Sequence, residues 1–245
     1  DDLGSLEFIG SGGQGQHRQG YSIGDVFMYK IVSAQIDAGG FVTEALCDGG
    51  TGPQGLDQGG PAIPCADAHK VLWGHSQPTW ELGWGTSVTL WDRLRLGARV
   101  EGNGGHWQSN TEIRAQHNLG ITEPVLLRTD PFLMAYRGIE NDATGMYQAG
   151  FLRLREISAN YQFSPSIARY AWASGGSLTV GMRNVMMLWT KEEGWGTPRN
   201  GSITVPLADM IAWDPEIRAT GQLSNNYQTV MPPTASLTVT LRLTY

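Results

Sequence analysis

Apolar and polar residues alternate without a break from Ala235 to Tyr245: Ala235, Leu237, Val239, Leu241, Leu243 and Tyr245 are apolar, and Ser236, Thr238, Thr240, Arg242 and Thr244 are polar. A period of two predicts a strand with one apolar face. At roughly 11 residues it exceeds the ~5–6 of an average soluble strand and matches the ~9–11 that a tilted strand needs to cross a bilayer. An aromatic at its end suits the membrane interface.

The same alternation recurs upstream. Tyr21–Ser33 places Ile23, Phe27, Tyr29 and Ile31 on one face. Glu81–Leu90 does so with Leu82, Trp84, Val88 and Leu90, and after a tight turn at Trp91-Asp92 the face continues through Leu94, Leu96, Ala98 and Val100. Phe151–Phe163 changes phase: Leu152 and Leu154 share one parity, Ile157, Ala159, Tyr161 and Phe163 the other, and a single β-bulge around Arg155-Glu156 would restore one apolar face. Ser177–Trp189 resumes with Leu178, Val180 and Met182. Six spanning strands are therefore expected, starting at Tyr21, Glu81, Leu94, Phe151, Ser177 and Ala235, with a candidate seventh at Leu3–Gly10. Connections alternate between short and very long, as in outer-membrane barrels with long extracellular loops. A short helix is expected near Pro131–Arg137. The predicted fold class is all-β: about six or seven antiparallel strands of a large transmembrane barrel.

The polar face of the hairpin carries Glu81, Gly83, Gly85, Ser87 and Thr89, then Arg93, Arg95, Gly97, Arg99 and Glu101. In a soluble sandwich this face meets water; in a large barrel it meets the lumen, where arginines pair with carboxylates. Arg93, Arg95, Arg99, Glu101, Arg183 and Arg242 are the candidate lumen-facing charges.

Composition narrows the choice. The chain has 245 residues, 40% of them hydrophobic, with 33 Gly and 12 Pro for turns. A net charge of −6 with no basic run argues against nucleic-acid binding. No apolar stretch reaches the ~18 residues of a membrane helix, so only strands could span a bilayer. The chain starts at Asp1, and six or seven strands leave open edges, so further strands are expected upstream or in partner chains.

Cys47 and Cys65 flank the stretch CDGGTGPQGLDQGGPAIPC, and a disulfide is favoured over free or metal-bound thiols because no CxxC or paired His is nearby. His106 and His117 lack the spacing of a helical zinc motif. Gly10, Gly12 and Gly15 show GxGxxG spacing, but a strand-like segment follows instead of a helix. No Ser/His/Asp, paired-carboxylate or metal arrangement is visible, so neither enzymatic chemistry nor a cofactor or metal is expected. Among nine tryptophans, Trp84 and Trp91 are expected at the lipid boundary. Trp107, Trp195 and Trp213 are candidates for stacking on a ligand, with packing in the aromatic girdle or outer loops as the plainer alternative.

The order GYSIGDVFMYK, GHSQPTWELGWGTSVTLWDRLRLGARVEGNGG, GFLRLREISANYQFS, MRNVMMLW, WDPEI and a terminal aromatic strand resembles the C-terminal barrel region of SusC-like (RagA-like) TonB-dependent outer-membrane transporters. The resemblance covers nearly all of residues 1–245, and FLRLREISANYQFS is its most specific piece. It departs from the family at the Cys47–Cys65 loop, where many relatives carry an Asp/Asn/Gly run suited to calcium. The resemblance implies a bacterial outer-membrane protein set in lipid, a plugged 22-stranded barrel importing oligosaccharides, peptides or similar nutrients. Its plug and N-terminal strands are expected outside these residues. Implied partners are a SusD-like surface lipoprotein, TonB-ExbB-ExbD acting through the missing part, and the barrel-assembly machinery, which would read Leu241, Leu243 and Tyr245. The competing expectations are a secreted Trp-rich β-sandwich that binds glycans, with its apolar face buried between two sheets, and a small autonomous barrel, which would need an eighth strand.

Overall fold

The computed structural model describes residues 8–9, 15–191, 226–227 and 234–245. In chain order the strands are β1 (Phe8–Ile9), β2 (His17–Arg18), β3 (Val26–Met28), β4 (Ile31–Ile36), β5 (Val42–Asp48), β6 (Ala62–Pro64), β7 (Val71–Gly74), β8 (Trp80–Leu90), β9 (Leu94–Asn110), β10 (Met146–Gln162), β11 (Gly175–Thr190), β12 (Asn226–Tyr227) and β13 (Ser236–Thr244). Helices α1 (Thr111–Leu119), α2 (Glu123–Leu126) and α3 (Pro131–Ile139) lie between β9 and β10, and the one-turn α4 (Pro165–Ala168) follows β10. The chain divides into two compact units.

The first unit takes Asp1–Thr79, Gly105–Ala149 and Lys191–Met231. Its small sheets are β3-β7 and β4-β5-β6, and its core joins Val26, Met28, Ile31, Trp73, Phe132, Leu133, Tyr136, Met146 and Tyr147. Trp73 meets Trp107 edge-on at 5.7 Å and Tyr136 at 6.0 Å. Helix α3 starts where the sequence places it, because Pro131 cannot extend a helix backwards and the Asp130 carboxylate accepts the Leu133 amide at 3.0 Å.

Tyr21–Ser33 departs from expectation. It contributes no long wall strand: β3 pairs with β7, the chain changes partner at Tyr29-Lys30, and β4 pairs with β5. Phe27, Met28 and Ile31 are sealed in the core of this unit, and alternation alone does not separate such short buried strands from half of a spanning one.

The second unit takes Trp80–Gly104, Gly150–Thr190 and Pro232–Tyr245. It is an antiparallel wall in the order β8-β9-β10-β11-β13, the strands expected from Glu81, Leu94, Phe151, Ser177 and Ala235, and the two-residue β12 joins its sheet by pairing parallel to β9 at Ser109 and Asn110. Leu94 opens a strand that runs to Asn110, and β10 begins at Met146, so both extend beyond the alternating segments. Along those extensions His106, Gln108, Ser109, Asn110, Met146 and Tyr147 are all buried, which removes the inside-outside pattern. The Trp91-Asp92 turn holds both residues at positive φ, 50° and 55°, with Arg93 N–H donating to the Leu90 carbonyl at 3.1 Å, as tight hairpins of matching twist require.

Candidate functional site: the two faces of the strand wall

The wall has two chemically opposite faces. Side chains directly opposite one another across antiparallel strands share a face, so Leu82, Trp84 and Val88 on β8 join Gly102, Val100 and Leu96 on β9. On the far side Ile157, Ala159 and Tyr161 join Met182, Val180 and Leu178, then Leu237, Val239 and Leu241. These apolar side chains are open: Trp84 is 52% exposed, Val88 52%, Leu237 68%, Val239 61% and Leu241 58%. A contiguous apolar surface of this kind marks a face that meets a partner or a membrane.

Aromatics bound this face at both ends. Trp80 and Trp189 lie with ring centroids 6.5 Å apart at one end. At the other stand Trp91, Tyr161, Phe163 and Tyr245, with Tyr161 and Phe163 6.0 Å apart. From Trp80 to Leu90 the strand advances about 33 Å, and a tilt of about 40° converts that to roughly 25 Å of height, the thickness of an outer-membrane apolar band.

The bulge is where the phase change in β10 predicts it. The register of β10 against β11 is irregular between Leu154 and Glu156, and a second shift that the sequence did not foresee lies between Leu152 and Arg153. A Cβ on Gly102 would touch Leu152, whereas one on Gly97 would touch the Ser158 hydroxyl. Gly102 and Gly97 lie on opposite faces of β9, so Leu152 and Ser158 do too, although both are even-numbered. Side-chain parity therefore resets between them, and Leu152, Leu154, Ile157 and Ala159 all meet on the apolar side.

The polar face collects the predicted charges. Arg95, Arg99 and Glu101 alternate along β9 from the turn residue Arg93; Arg183 is opposite Ser236, and Arg242 is opposite Ser177. Glu101 forms an ion pair with Arg99 at 2.5 Å and accepts from Arg155 at 2.8 Å, while Arg155 also donates to Asn184 Oδ1 at 2.8 Å. Asn184 in turn donates to the Thr234 carbonyl at 3.2 Å. Arg183 lies 3.9 Å from Glu156, and Arg95 donates to the Ser87 hydroxyl at 3.3 Å. Arg155 and Asn184 are the members sequence reasoning missed. Arg155 sits at the bulge, so that proposed irregularity was the signal that could have found it.

In the first unit the cysteines are joined in a Cys47–Cys65 disulfide, as expected. The glycine-rich loop between them is organised around a buried carboxylate, Asp48, which accepts the amides of Gly50, Gly59 and Gly60 at 2.7–2.9 Å. Gly50 has φ +77° and a Cβ there would stand 1.9 Å from the Gly55 carbonyl oxygen, so glycine is required. His117 is buried against Thr122, its Nδ1 2.9 Å from that hydroxyl, and burial first and Arg137 second push its pKa down to about 4. Burial raises the Glu140 carboxyl although Lys70 lies 2.8 Å away, and burial likewise raises Asp130. No group of three or more His, Cys, Asp or Glu able to hold a metal occurs among the described residues.

The remaining candidates are dispersed. Trp107 packs on Trp73 beside the first unit's core. Trp195 and Trp213 lie outside the described residues, as do Gly10 and Gly12 of the glycine motif and the WDPEI segment. Leu241 is exposed and Leu243 half-buried on β13, which pairs only with β11 among the described residues, and Tyr245, the residue after it, is exposed.

No family model and no curated protein matches this chain. Solved structures do. A chain in the "open-open" state of the RagAB peptide importer matches over 100% of this sequence at 14% identity and TM-score 0.61. One in its "closed-closed" state matches over 98% at 18% identity and 0.62, and one from the RagAB peptide transporter over 97% at 16% and 0.60. The chain spans 25% of the length of each of these. At such identity the likeness is one of fold, and the fold is the expected all-β antiparallel wall.

Proposed function

We propose that this chain supplies part of the wall and outer loops of an outer-membrane β-barrel that imports peptides or similar nutrients in a TonB-dependent manner. One observation carries the reading: an exposed apolar face of bilayer height, bounded by aromatics, backed by a face of arginines and small polar residues. A secreted sandwich would bury that apolar face against a second sheet, whereas Leu237, Val239 and Leu241 are more than half exposed. An autonomous barrel would close its sheet, whereas β8 and β13 each have one strand partner among the described residues. The fold shared with the RagAB importer chains supports transport and makes peptides the first substrate class to try.

In this reading the arginine face looks into the lumen and the apolar face into outer-membrane lipid. The barrel-assembly machinery reads Leu241, Leu243 and Tyr245, a SusD-like lipoprotein covers the outer loops, and TonB-ExbB-ExbD acts through residues beyond these. The chain performs no bond chemistry and needs no cofactor. The test is fractionation of source cells and uptake of labelled oligopeptides with and without the full-length protein. Recovery in the outer membrane at several times 26.7 kDa, with uptake lost on deletion, is the expected result. A species of 26.7 kDa that stays monodisperse without detergent would overturn the reading.

A further inference from the structure

The most exposed large apolar side chains among the described residues all lie at the end of the wall where the Trp91-Asp92 turn closes its hairpin: Trp172 at 90%, Tyr170 at 89%, Tyr245 at 84% and Trp91 at 80%. All are tryptophan or tyrosine, the amphipathic aromatics that settle where hydrocarbon meets headgroups. Tyr170 and Trp172 belong to the connection between β10 and β11, just past the last paired residues of the apolar face.

That connection is tightly held. The Phe163 amide donates to the Gly176 carbonyl at 2.8 Å, and the Ser174 amide and hydroxyl both donate to the Thr244 carbonyl, at 2.7 and 2.9 Å. Within it the Ser164 hydroxyl accepts the Ile167 amide, the Ala173 amide reaches the Ala168 carbonyl at 3.1 Å, and both alanines are buried. Trp172 has φ 52°, a left-handed conformation that residues other than glycine rarely adopt, so the backbone is strained at the side chain it projects furthest. The chain enters the turn on the apolar side: a Cβ on Gly176 would stand 2.9 Å from the Phe163 ring and 3.1 Å from Leu243. β10 and β11 are interior strands with β9 and β13 beside them, so the exposure of this turn does not come from an open sheet edge.

Arg169 sits among these side chains. Its Nε donates to the Pro165 carbonyl at 3.3 Å, which fixes the guanidinium, and its terminal nitrogens have no partner among the described residues. No Asp or Glu occurs between Glu156 and Lys191, so the turn carries a positive charge and no carboxylate. A fixed guanidinium with paired N–H donors matches a phosphate. Flanked by exposed Ile167, Tyr170 and Trp172 at the end of an apolar wall, it stands where a bilayer presents phosphate beside hydrocarbon.

We infer that the β10-β11 turn is a phospholipid-binding site, in which Arg169 takes the headgroup phosphate while Ile167, Tyr170 and Trp172 bed in the bilayer interface, and that it favours anionic lipids. The inference deepens the import reading and rests on it, since the apolar face must meet a membrane.

The test places the full-length protein in phosphatidylcholine vesicles in which a minor share of the lipid carries bromine on its acyl chains, as either phosphatidylglycerol or phosphatidylcholine. Bromine quenches indole emission on contact, and subtracting the emission of Trp172→Phe or Trp84→Phe isolates each tryptophan. Trp84, on the apolar face, should be quenched alike by both brominated lipids. Trp172 should be quenched by both, and about twofold more by the phosphatidylglycerol. Arg169→Gln should erase that excess and leave Trp84 unchanged; Arg169 and Trp172 are exposed, so these variants should assemble as wild type does. Quenching of Trp84 with none of Trp172 overturns the inference and leaves the import reading standing. An equal response of Trp172 to both lipids, or an excess that survives in Arg169→Gln, overturns the phosphate site. Quenching of neither tryptophan overturns the membrane assignment and the inference with it.

Discussion

Arg155 bridges two neighbouring strands: its Nε donates to Glu101 on β9 at 2.8 Å and its terminal nitrogen to Asn184 on β11 at 2.8 Å. Arg155 and Glu101 keep only 21% and 28% of their side-chain surface, so the contact is better shielded than an ordinary surface ion pair. Glu101→Gln and Arg155→Gln should each lower stability by about 1–3 kcal/mol, since each leaves a partly buried charge without its partner. Denaturant midpoints of the full-length protein in detergent check this. The double variant should cost less than the sum of the single ones, as contacting residues do.

The two faces of β13 should respond oppositely to charge. Val239→Arg puts a cation on the apolar face and should cost about 2–4 kcal/mol if it meets the bilayer midplane. Thr238→Arg, one residue away on the polar face, should be nearly neutral. Comparing assembled outer-membrane protein for the two variants tests which face meets lipid; equal levels would contradict the assignment.

The Cys47–Cys65 bond closes an 18-residue separation, and removing it by Cys47→Ser with Cys65→Ser should cost about 3 kcal/mol. The Asp48 carboxylate and the glycines it binds hold the loop as well, so Asp48→Asn should loosen it even when the disulfide is intact. Limited proteolysis should cut between residues 49 and 64 faster in both variants than in wild type. If Asp48→Asn is cleaved no faster, the disulfide alone holds the loop.

Five wall segments and the bulge were legible because the wall separates its environments sharply. Leu82, Trp84 and Val88 alternate with Gly83, Gly85 and Ser87 since one face is apolar and the other polar, and the phase slip at Arg155-Glu156 records the bulge directly. Where both faces are buried this signal vanishes. His106, Gln108 and Ser109 are enclosed, so the second half of β9 showed no pattern, and the polar run Thr111–Leu119 hid α1. Tyr21–Ser33 misled for the converse reason: its alternation is real, but the partner switch at Tyr29-Lys30 depends on distant groups, Glu140 accepting the Tyr29 amide and the Asp48 amide reaching the Lys30 carbonyl. Of the charged candidates, Arg99 and Glu101 were readable from parity, whereas their link to Arg155 needed the register of three strands.

His117 gives the first unit a defined acid sensitivity. Its pKa in the fold is pushed down to about 4 from an ordinary 6.5, so between these values the unfolded chain binds a proton that the folded one refuses. The stability that depends on neutral His117 is fully present above about pH 6.5 and declines as pH falls toward 4. Glu140 and Asp130 act with the opposite sign: burial raises both, so each favours the fold on the acid side and loses that contribution as pH rises through its shifted value. Wild type and His117→Gln should therefore be compared at each pH instead of wild type being followed alone. The variant removes only the histidine's slope, so the stability gap between the two proteins should narrow steadily from pH 7 to pH 4 in thermal denaturation of the full-length protein. A gap that stays constant over that range would mean that His117 titrates alike in the folded and unfolded chain, and that its burial against Thr122 and Arg137 has no bearing on acid stability.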